Sequence, residues 1–228
     1  MRSSCKPCVV TAMFESDQTC YLLAHVGPNG SRALGSCFAL GGDRLATALH
    51  VLGTDTAGLH MIVPRDRMSA YQDMTDHGFM VRPVEVIASD PIHDLAVLRV
   101  RDAETSASWS IDGTDSAEPG HPVVTLGFPH ADAGRVVLTQ QQTTVGARIL
   151  MGNQGIKVKY VVLNTLLRPG QSGGPVVSMQ TGNVVAVLVG AYAPEGSGKV
   201  IVGGVDPSAL HQTTHAVSAE YLKPMMAS

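Results

Sequence analysis

Short apolar runs recur along the whole chain, and polar turns separate them. Alternating apolar and polar positions, and short apolar runs rich in β-branched residues, are typical of strands. Turns such as GPNGS and LGGDR lie between the runs. The pattern predicts an all-β fold, sandwich or barrel, with strands at 9–14, 20–26, 34–40, 44–52, 59–63, 81–88, 95–100, 122–128, 135–151, 156–165, 174–179, 183–192 and 199–205.

One long polar stretch, 101–120, divides these strands into two sets of comparable size. It is rich in Ser, Thr, Asp and Glu and contains Trp109, which indicates a crossover partly docked on the surface. We therefore expect one domain over 1–228, built from two β-units. The units cover about 9–104 and about 121–205, the crossover covers about 101–120, and a helical tail follows at 207–228.

Composition and charge narrow the class of protein. With 228 residues, 44% apolar and 15% charged, the chain can bury a sizeable core. A net charge of −3 gives no electrostatic reason to expect nucleic acid or an acidic membrane as a partner. No apolar run is long enough for a membrane span, and the opening MRSSCKPCVVTAMFESDQ lacks the apolar segment of a signal peptide. We expect a cytoplasmic protein.

The four cysteines, Cys5, Cys8, Cys20 and Cys37, all lie near the start of the chain. Cys5 and Cys8 form a C-x-x-C pair, but a zinc ribbon needs a second such pair and a redox motif should follow a strand. We expect free or incidental thiols and no metal. A metal or redox sensor stays open as an alternative that zinc analysis would test.

The stretch RPGQSGGPV, 168–176, surrounds Ser172 with glycines and prolines. Such residues are ordinary in turns, but they also leave a hydroxyl accessible to another molecule beside bare backbone N–H groups. A serine nucleophile needs a base and a group that orients the base. His50 ends the strand-like 44–52, and Asp94 immediately precedes the strand-like 95–100. His93 is expected to point to the opposite face of an extended strand, as a surface or gating residue.

The same GQSGG also matches the nucleophile elbow of α/β-hydrolases, and Asp206 with His211 or His215 follows in that fold's order. An elbow needs a helix directly after the serine. Pro175 and the β-branched residues after it predict a strand there instead, which disfavours this alternative.

Three motifs, ATALHVL, HDLAVLRV and PGQSGGPVV, together resemble the signatures of trypsin-like serine peptidases of the chymotrypsin fold. They are most similar to the bacterial HtrA/DegP-type branch, over roughly 30–205. The resemblance implies two six-stranded antiparallel β-barrels with a short C-terminal helix and a site between the barrels. It implies His50 as general base and acid, Asp94 as its orienting partner, Ser172 as nucleophile, and the N–H groups of Gly170 and Ser172 as the oxyanion hole. It implies no cofactor.

The chain departs from the family pattern in two ways. Gln171 stands where digestive members carry an aspartate that pairs with a new amino terminus. About 20 residues follow the last predicted strand, so a PDZ domain, usual in the HtrA branch, is not expected.

By analogy with the fold, uncharged residues should line the primary pocket, which should accept small or medium apolar side chains of the substrate. The predicted lining residues are Leu166, Leu167, Val189, Gly190 and Ala191.

The expected function is a serine endopeptidase that carries out limited intracellular proteolysis on a protein or peptide substrate. A regulatory protein that controls the activity of such an enzyme is a further candidate partner. The alternative is a catalytically silent trypsin-like fold that serves as a protein-binding module. A fluorophosphonate probe that reacts with an activated serine would separate the two.

Overall fold

The computed structural model describes residues 19–28, 30–76, 78–105, 109–192 and 213–227, and its first barrel has six antiparallel strands. They run in the order β1-β2-β3-β6-β5-β4, and pairing of Leu23 with Met61 closes the barrel between β1 and β4. The strands are β1 (Cys20–Gly27), β2 (Gly30–Gly41), β3 (Arg44–Ala48), β4 (Leu59–Val63), β5 (Met80–Asp90) and β6 (Leu95–Val100).

The second barrel also has six antiparallel strands, in the order β10-β11-β12-β9-β8-β7, with β10 and β7 paired to close it. Its long β8–β9 hairpin turns at Asn153 and Ile156. The strands are β7 (Pro122–Gly127), β8 (Thr139–Asn153), β9 (Ile156–Leu163), β10 (Pro175–Ser178), β11 (Val184–Tyr192) and β12 (Thr213–Ser218). The predicted fold class, two six-stranded barrels, is confirmed.

Strand periodicity explains where the core lies. Along β1, Leu23 faces the interior of the first barrel, whereas Leu22 faces the surface that packs against the second barrel. Phe128 of the second barrel belongs to the same interface core. Trp109 is also part of it and is only 8% exposed, so the crossover residue is more deeply docked than the sequence indicated.

The helices in the described part of the chain are short. They are α1 (Leu49–Leu52) and α2 (Leu222–Met226), the second of which is the predicted C-terminal helix. The 3-10 turns of the same residues cover Thr114–Ser116, Ala131–Ala133 and Ala219–Tyr221. Among the described residues, no helix has the length and apolar character needed to cross a membrane.

Some predicted boundaries are corrected. The tail predicted as helical from 207 begins, in its described part, with β12 (Thr213–Ser218), because this segment completes the hydrogen bonding between β9 and β11. The strand predicted at 44–52 ends at Ala48, and β8 starts at Thr139 rather than at 135. The predicted strands at 9–14 and 199–205 lie outside the described residues.

Candidate active site

His50 lies on α1, a single helical turn that follows β3 at the interface of the barrels. Val51 and Leu52 of this turn are buried and anchor it, while the His50 side chain is 45% exposed. Gly53, at φ +66°, ends the turn. The amphipathic turn therefore holds a histidine at the surface on a rigid apolar base.

Asp94 ends the turn between β5 and β6 and has a left-handed backbone, with φ +55°. Aspartate adopts this conformation more readily than most residues. Its carbonyl accepts the N–H of Leu49 at 2.9 Å, and its Oδ1 accepts the N–H of His50 at 2.8 Å. Its Oδ2 lies 2.6 Å from His50 Nδ1. Because a carboxylate accepts, Nδ1 carries the proton and neutral His50 presents an unprotonated Nε2.

Ser172 lies in a loop fixed by backbone hydrogen bonds to both barrels. Its carbonyl accepts the N–H of Ser36 from β2 at 2.8 Å. The next residue, Gly173, donates its N–H to Leu188 of β11 at 2.7 Å. Both contacts act on the peptide group between Ser172 and Gly173, so the backbone that follows the serine is fixed by one hydrogen bond to each barrel.

Gly170 has φ +91°, a conformation that favours glycine, and a Cβ there would overlap the carbonyl oxygen of Phe128. The Pro169 carbonyl accepts the N–H of His130 at 2.7 Å. In a trans peptide C=O and N–H point in opposite directions, so the Gly170 N–H points away from His130. The N–H groups of Gly170 and Ser172 donate to no other group among the described residues.

Gln171 is buried and closes its own loop. Its Oε1 accepts the N–H of Arg168 at 2.8 Å, and its backbone N–H donates to the Arg168 carbonyl at 3.1 Å. The side chain that replaces the aspartate of digestive members therefore stabilises the turn before Ser172 directly, without an amino terminus as partner.

Ser36 is a residue of the site that the motifs did not reveal. It is fully buried, its Oγ donates to the Gly170 carbonyl at 2.8 Å and accepts the N–H of Phe128 at 3.1 Å. The only signal for it in the sequence is a serine within the apolar run LGSCFAL. Ser36 links β2 of the first barrel to the loop that carries Gly170.

His50 and Ser172 line the same cavity between the barrels. Its other lining residues are Arg32, Ala33, Leu34, Val51, Gly53, Asp132, Pro169 and Gly170. The structure thus places four of the predicted residues together: His50 in direct contact with Asp94, and Ser172 with Gly170 beside the same cavity as His50.

The residues predicted to line a primary pocket do not line this cavity within the described part of the chain. Leu166 is partly exposed, and the Leu167 N–H donates to Thr214 Oγ1 at 2.8 Å. Val189 packs against buried residues of both barrels, and Gly190 pairs with His215. The Ala191 side chain is outside the described residues. A substrate-binding role for these five residues stays a prediction.

The turn that carries Asp94 corrects the expectation for His93. That residue is not in an extended strand, because strand β6 starts only at Leu95. The His93 Nδ1 lies 2.6 Å from Asp90 Oδ2, and its ring stacks on Tyr221. His93 is therefore a half-buried part of the turn and not a surface residue.

The remaining residues singled out in the sequence are the cysteines and the histidine and aspartate of the α/β-hydrolase alternative. Cys20 and Cys37 are free and buried, and burial raises the pKa of both thiols. Cys5, Cys8, Asp206 and His211 lie outside the described residues. His215 lies on β12, and strand β10 rather than a helix follows Ser172, which rules out the α/β-hydrolase elbow. Within the described ranges, no three His, Cys, Asp or Glu side chains are grouped to hold a metal.

These features define a two-barrel fold with a histidine, a carboxylate and a serine at the barrel interface. The chain belongs to the trypsin-like peptidase domain family, whose sequence model matches residues 35–187. The family assignment confirms the resemblance that the three motifs indicated and the predicted class of protein.

Two bacterial proteins are similar in sequence to part of this chain. The serine protease PepD of Mycobacterium tuberculosis is 27% identical over 136 residues, which are 55% of this chain and 29% of PepD. The uncharacterized protein y4bJ of Sinorhizobium fredii is 29% identical over 106 residues, 46% of this chain and 16% of y4bJ. The matched part of the chain thus spans less than a third of either relative.

Solved structures of proteases share the fold. The MamO protease domain of Magnetospirillum magneticum, in its apo form, has a TM-score of 0.68 at 17% identity, covering 92% of this chain and 96% of that domain. The HtrA-type protease AlgW with a tripeptide has a TM-score of 0.66 at 20% identity, covering 97% of this chain and 63% of AlgW. The active form of the M. tuberculosis protease Rv3671c has a TM-score of 0.64 at 20% identity, covering 100% of this chain and 92% of Rv3671c. At these identities the likeness shows the fold.

Proposed function

We propose that the protein is a serine endopeptidase in which His50, Asp94 and Ser172 form the catalytic triad. One observation carries the proposal: the Asp94 carboxylate accepts from both the backbone N–H and the Nδ1 of His50, at 2.8 and 2.6 Å, and the same histidine shares a cavity with Ser172. This arrangement leaves Nε2 as the base and Ser172 as the hydroxyl available to it.

The first half of the reaction forms an acyl-enzyme. Ser172 Oγ attacks the carbonyl carbon of the scissile peptide, and the hydroxyl proton passes to His50 Nε2 as the new C–O bond forms. Asp94 stabilises the imidazolium without taking its proton. The tetrahedral intermediate collapses when the C–N bond breaks, and Nε2 returns the proton to the leaving amine.

The second half consumes water. A water molecule attacks the acyl carbon and gives a proton to His50 Nε2, the ester C–O bond breaks, and that proton returns to Ser172 Oγ. In both halves the N–H groups of Gly170 and Ser172 stabilise the negative oxygen. Loss of one such donor costs about 2.7–4 kcal/mol of transition-state stabilisation.

The substrate is proposed to be a protein or peptide with a small or medium apolar residue before the cut bond. This preference follows from the primary pocket predicted by analogy with the fold, whose residues Leu166, Leu167, Val189, Gly190 and Ala191 carry no charge. A set of peptides that differ only at this position tests it. Cleavage after Arg as fast as cleavage after Val, Leu or Ala would contradict it.

Two further predictions concern the cell. A cytoplasmic role in limited proteolysis would be tested by cell fractionation, and control by a protein partner would be tested by cross-linking.

A fluorophosphonate probe combined with a peptidase assay tests the proposed function. The folded protein is expected to react with the probe and to cleave apolar peptides, and Ser172→Ala is expected to lose both activities. Ser69→Ala, which removes an exposed hydroxyl outside the cavity, serves as the matched control. If the folded protein neither reacts with the probe nor cleaves any peptide, the proposal is wrong and a binding module becomes the better description.

A further inference from the structure

The turn 90–94, which ends in Asp94, is organised by the carboxylate of Asp90. Its Oδ1 accepts the N–H groups of Ile92 at 3.0 Å and His93 at 3.2 Å, and its Oδ2 lies 2.6 Å from His93 Nδ1. Burial works to raise the pKa of Asp90, but the hydrogen bonds from His93 and Ile92 outweigh it and hold that pKa below its ordinary value. Asp90 is therefore ionised and accepts three hydrogen bonds, from the backbone N–H groups of Ile92 and His93 and from His93 Nδ1.

The C-terminal segment contacts this turn from outside the first barrel. The rings of His93 and Tyr221 stack with centroids 3.7 Å apart and planes 23° from parallel. The Tyr221 hydroxyl in turn accepts the backbone N–H of Lys159, on β9, at 3.1 Å. The His93 ring is thus held between Asp90 on one side and a tyrosine tied to the second barrel on the other.

A third contact comes from the end of the β8–β9 hairpin. Asn153 Nδ2 donates to the Ile92 carbonyl at 2.7 Å. Asp94 itself has a left-handed backbone, which a non-glycine residue keeps only when its surroundings support it. The turn that ends in Asp94 is therefore supported by the second barrel and the C-terminal segment as well as by Asp90 and Leu49 of the first barrel.

We propose that His93 and Tyr221 are positioning residues that hold the turn 90–94 so that the Asp94 carboxylate faces His50. The proposal rests on the proposed function, because the value of this position is the orientation of His50. Neither residue lines the cavity that contains His50 and Ser172. Their loss should therefore change the catalytic step more than substrate binding.

Steady-state kinetics on a matched set of variants tests this role. In His93→Ala and Tyr221→Ala we expect kcat to fall by about 10- to 100-fold, the range caused by small misplacements of catalytic groups, with KM little changed. Tyr221→Phe keeps the ring and should keep most of the activity. His60→Ala is the control, since His60 is another histidine of the first barrel, and the one hydrogen-bond partner of its Nδ1 among the described residues is the carbonyl of Gly58, two residues away.

A second readout does not depend on catalysis. With ring-labelled histidine, the His50 Nδ1–H proton in the hydrogen bond to Asp94 can be followed by NMR. We expect this signal in the wild type, in Tyr221→Phe and in His60→Ala, and its shift or loss in His93→Ala and Tyr221→Ala. If the wild type shows the signal but never cleaves a peptide, the proposed function fails while the positioning role is still tested by the variants.

The positioning role is wrong if His93→Ala and Tyr221→Ala are folded and keep both the wild-type kcat and the His50 signal. It is also wrong if these variants raise KM while kcat is unchanged. Should either variant fail to fold, Asn153→Ala takes the place of that variant in the same two measurements. This substitution removes the hydrogen bond from the hairpin to the Ile92 carbonyl. A wild-type kcat and signal in Asn153→Ala would then count against the inference, and a reduced kcat at constant KM would support it.

Discussion

His50 contacts Asp94 through two atoms at once: its backbone N–H donates to Oδ1 at 2.8 Å, and its Nδ1 lies 2.6 Å from Oδ2. The carboxylate cannot rotate without breaking one of these hydrogen bonds. A third contact, from the Leu49 N–H to the Asp94 carbonyl, ties the backbones together. The orientation of the imidazole is therefore fixed by α1 and the turn 90–94 together.

Asp94→Asn is expected to lower kcat by about 10⁴-fold while the protein stays folded. An amide has one oxygen and one NH₂ group, so it cannot accept from both the His50 N–H and Nδ1. If the amide NH₂ faces the ring, Nδ1 must accept and Nε2 carries the proton, which leaves no base for Ser172. Peptide cleavage and thermal unfolding measure the two effects. Asp55→Asn, at an exposed aspartate 3.6 Å from His25, should leave kcat unchanged.

Gly170→Ala is expected to reduce kcat by 10²-fold or more, the order of losing one oxyanion donor, since a Cβ would force the loop away from the Phe128 carbonyl. Gly120 provides a matched control: its φ of +88° is nearly that of Gly170, at +91°, but a Cβ there meets nothing within 4 Å. Both substitutions carry the backbone penalty of about 1–2 kcal/mol. Equal kcat values in the two variants would show that the close approach at Gly170 is irrelevant to activity.

Ser36→Ala is expected to lower both stability and activity. It leaves the Phe128 N–H and the Gly170 carbonyl without their buried partner, at a cost of about 1–3 kcal/mol for a buried group left unpaired. Because Gly170 is one of those two residues, kcat should fall as well as the free energy of unfolding. Urea unfolding and peptide cleavage provide the test. In Ser116→Ala, which removes a hydroxyl bonded to the Gly113 carbonyl at 2.8 Å away from the site, kcat should stay at the wild-type value.

Most of the fold could be predicted because strand burial leaves a direct trace in the sequence. In β6 (Leu95–Val100) and β11 (Val184–Tyr192), apolar and β-branched residues occupy both faces, one in a barrel and one at the interface. The polar crossover separates two such sets. The contact between His50 and Asp94 was predictable from the motifs, because His50 comes just after strand β3 and Asp94 comes directly before strand β6.

The parts that could not be predicted depend on distant contacts. The run 44–52 contains no glycine or proline, so its pattern continues as a strand through His50. The helical turn α1 forms because the N–H groups of Leu49 and His50 find acceptors on Asp94, 44 residues away for His50. Ser36 likewise acts on Phe128 and Gly170, residues remote in sequence. No local pattern encodes these pairings.

The buried thiols of Cys20 and Cys37 predict a loss of stability at alkaline pH. They lie on the paired strands β1 and β2, and burial raises the pKa of each. In the unfolded chain a thiol ionises near its ordinary pKa of 9.0. The folded state keeps the proton beyond that pH, so the unfolded state binds fewer protons and stability falls as pH rises above about 9.

In a Cys5→Ser/Cys8→Ser background, we expect each buried thiol to lower the free energy of unfolding by about 1.4 kcal/mol per pH unit above pH 9. Urea unfolding measured between pH 8 and pH 10.5 gives this slope. Adding Cys20→Ala and Cys37→Ala should reduce the stability at pH 8, because each removes a buried sulfur, and should also make the decline with pH shallower. An identical slope with and without the two thiols would mean that other groups cause the alkaline loss and that Cys20 and Cys37 ionise normally in the folded protein.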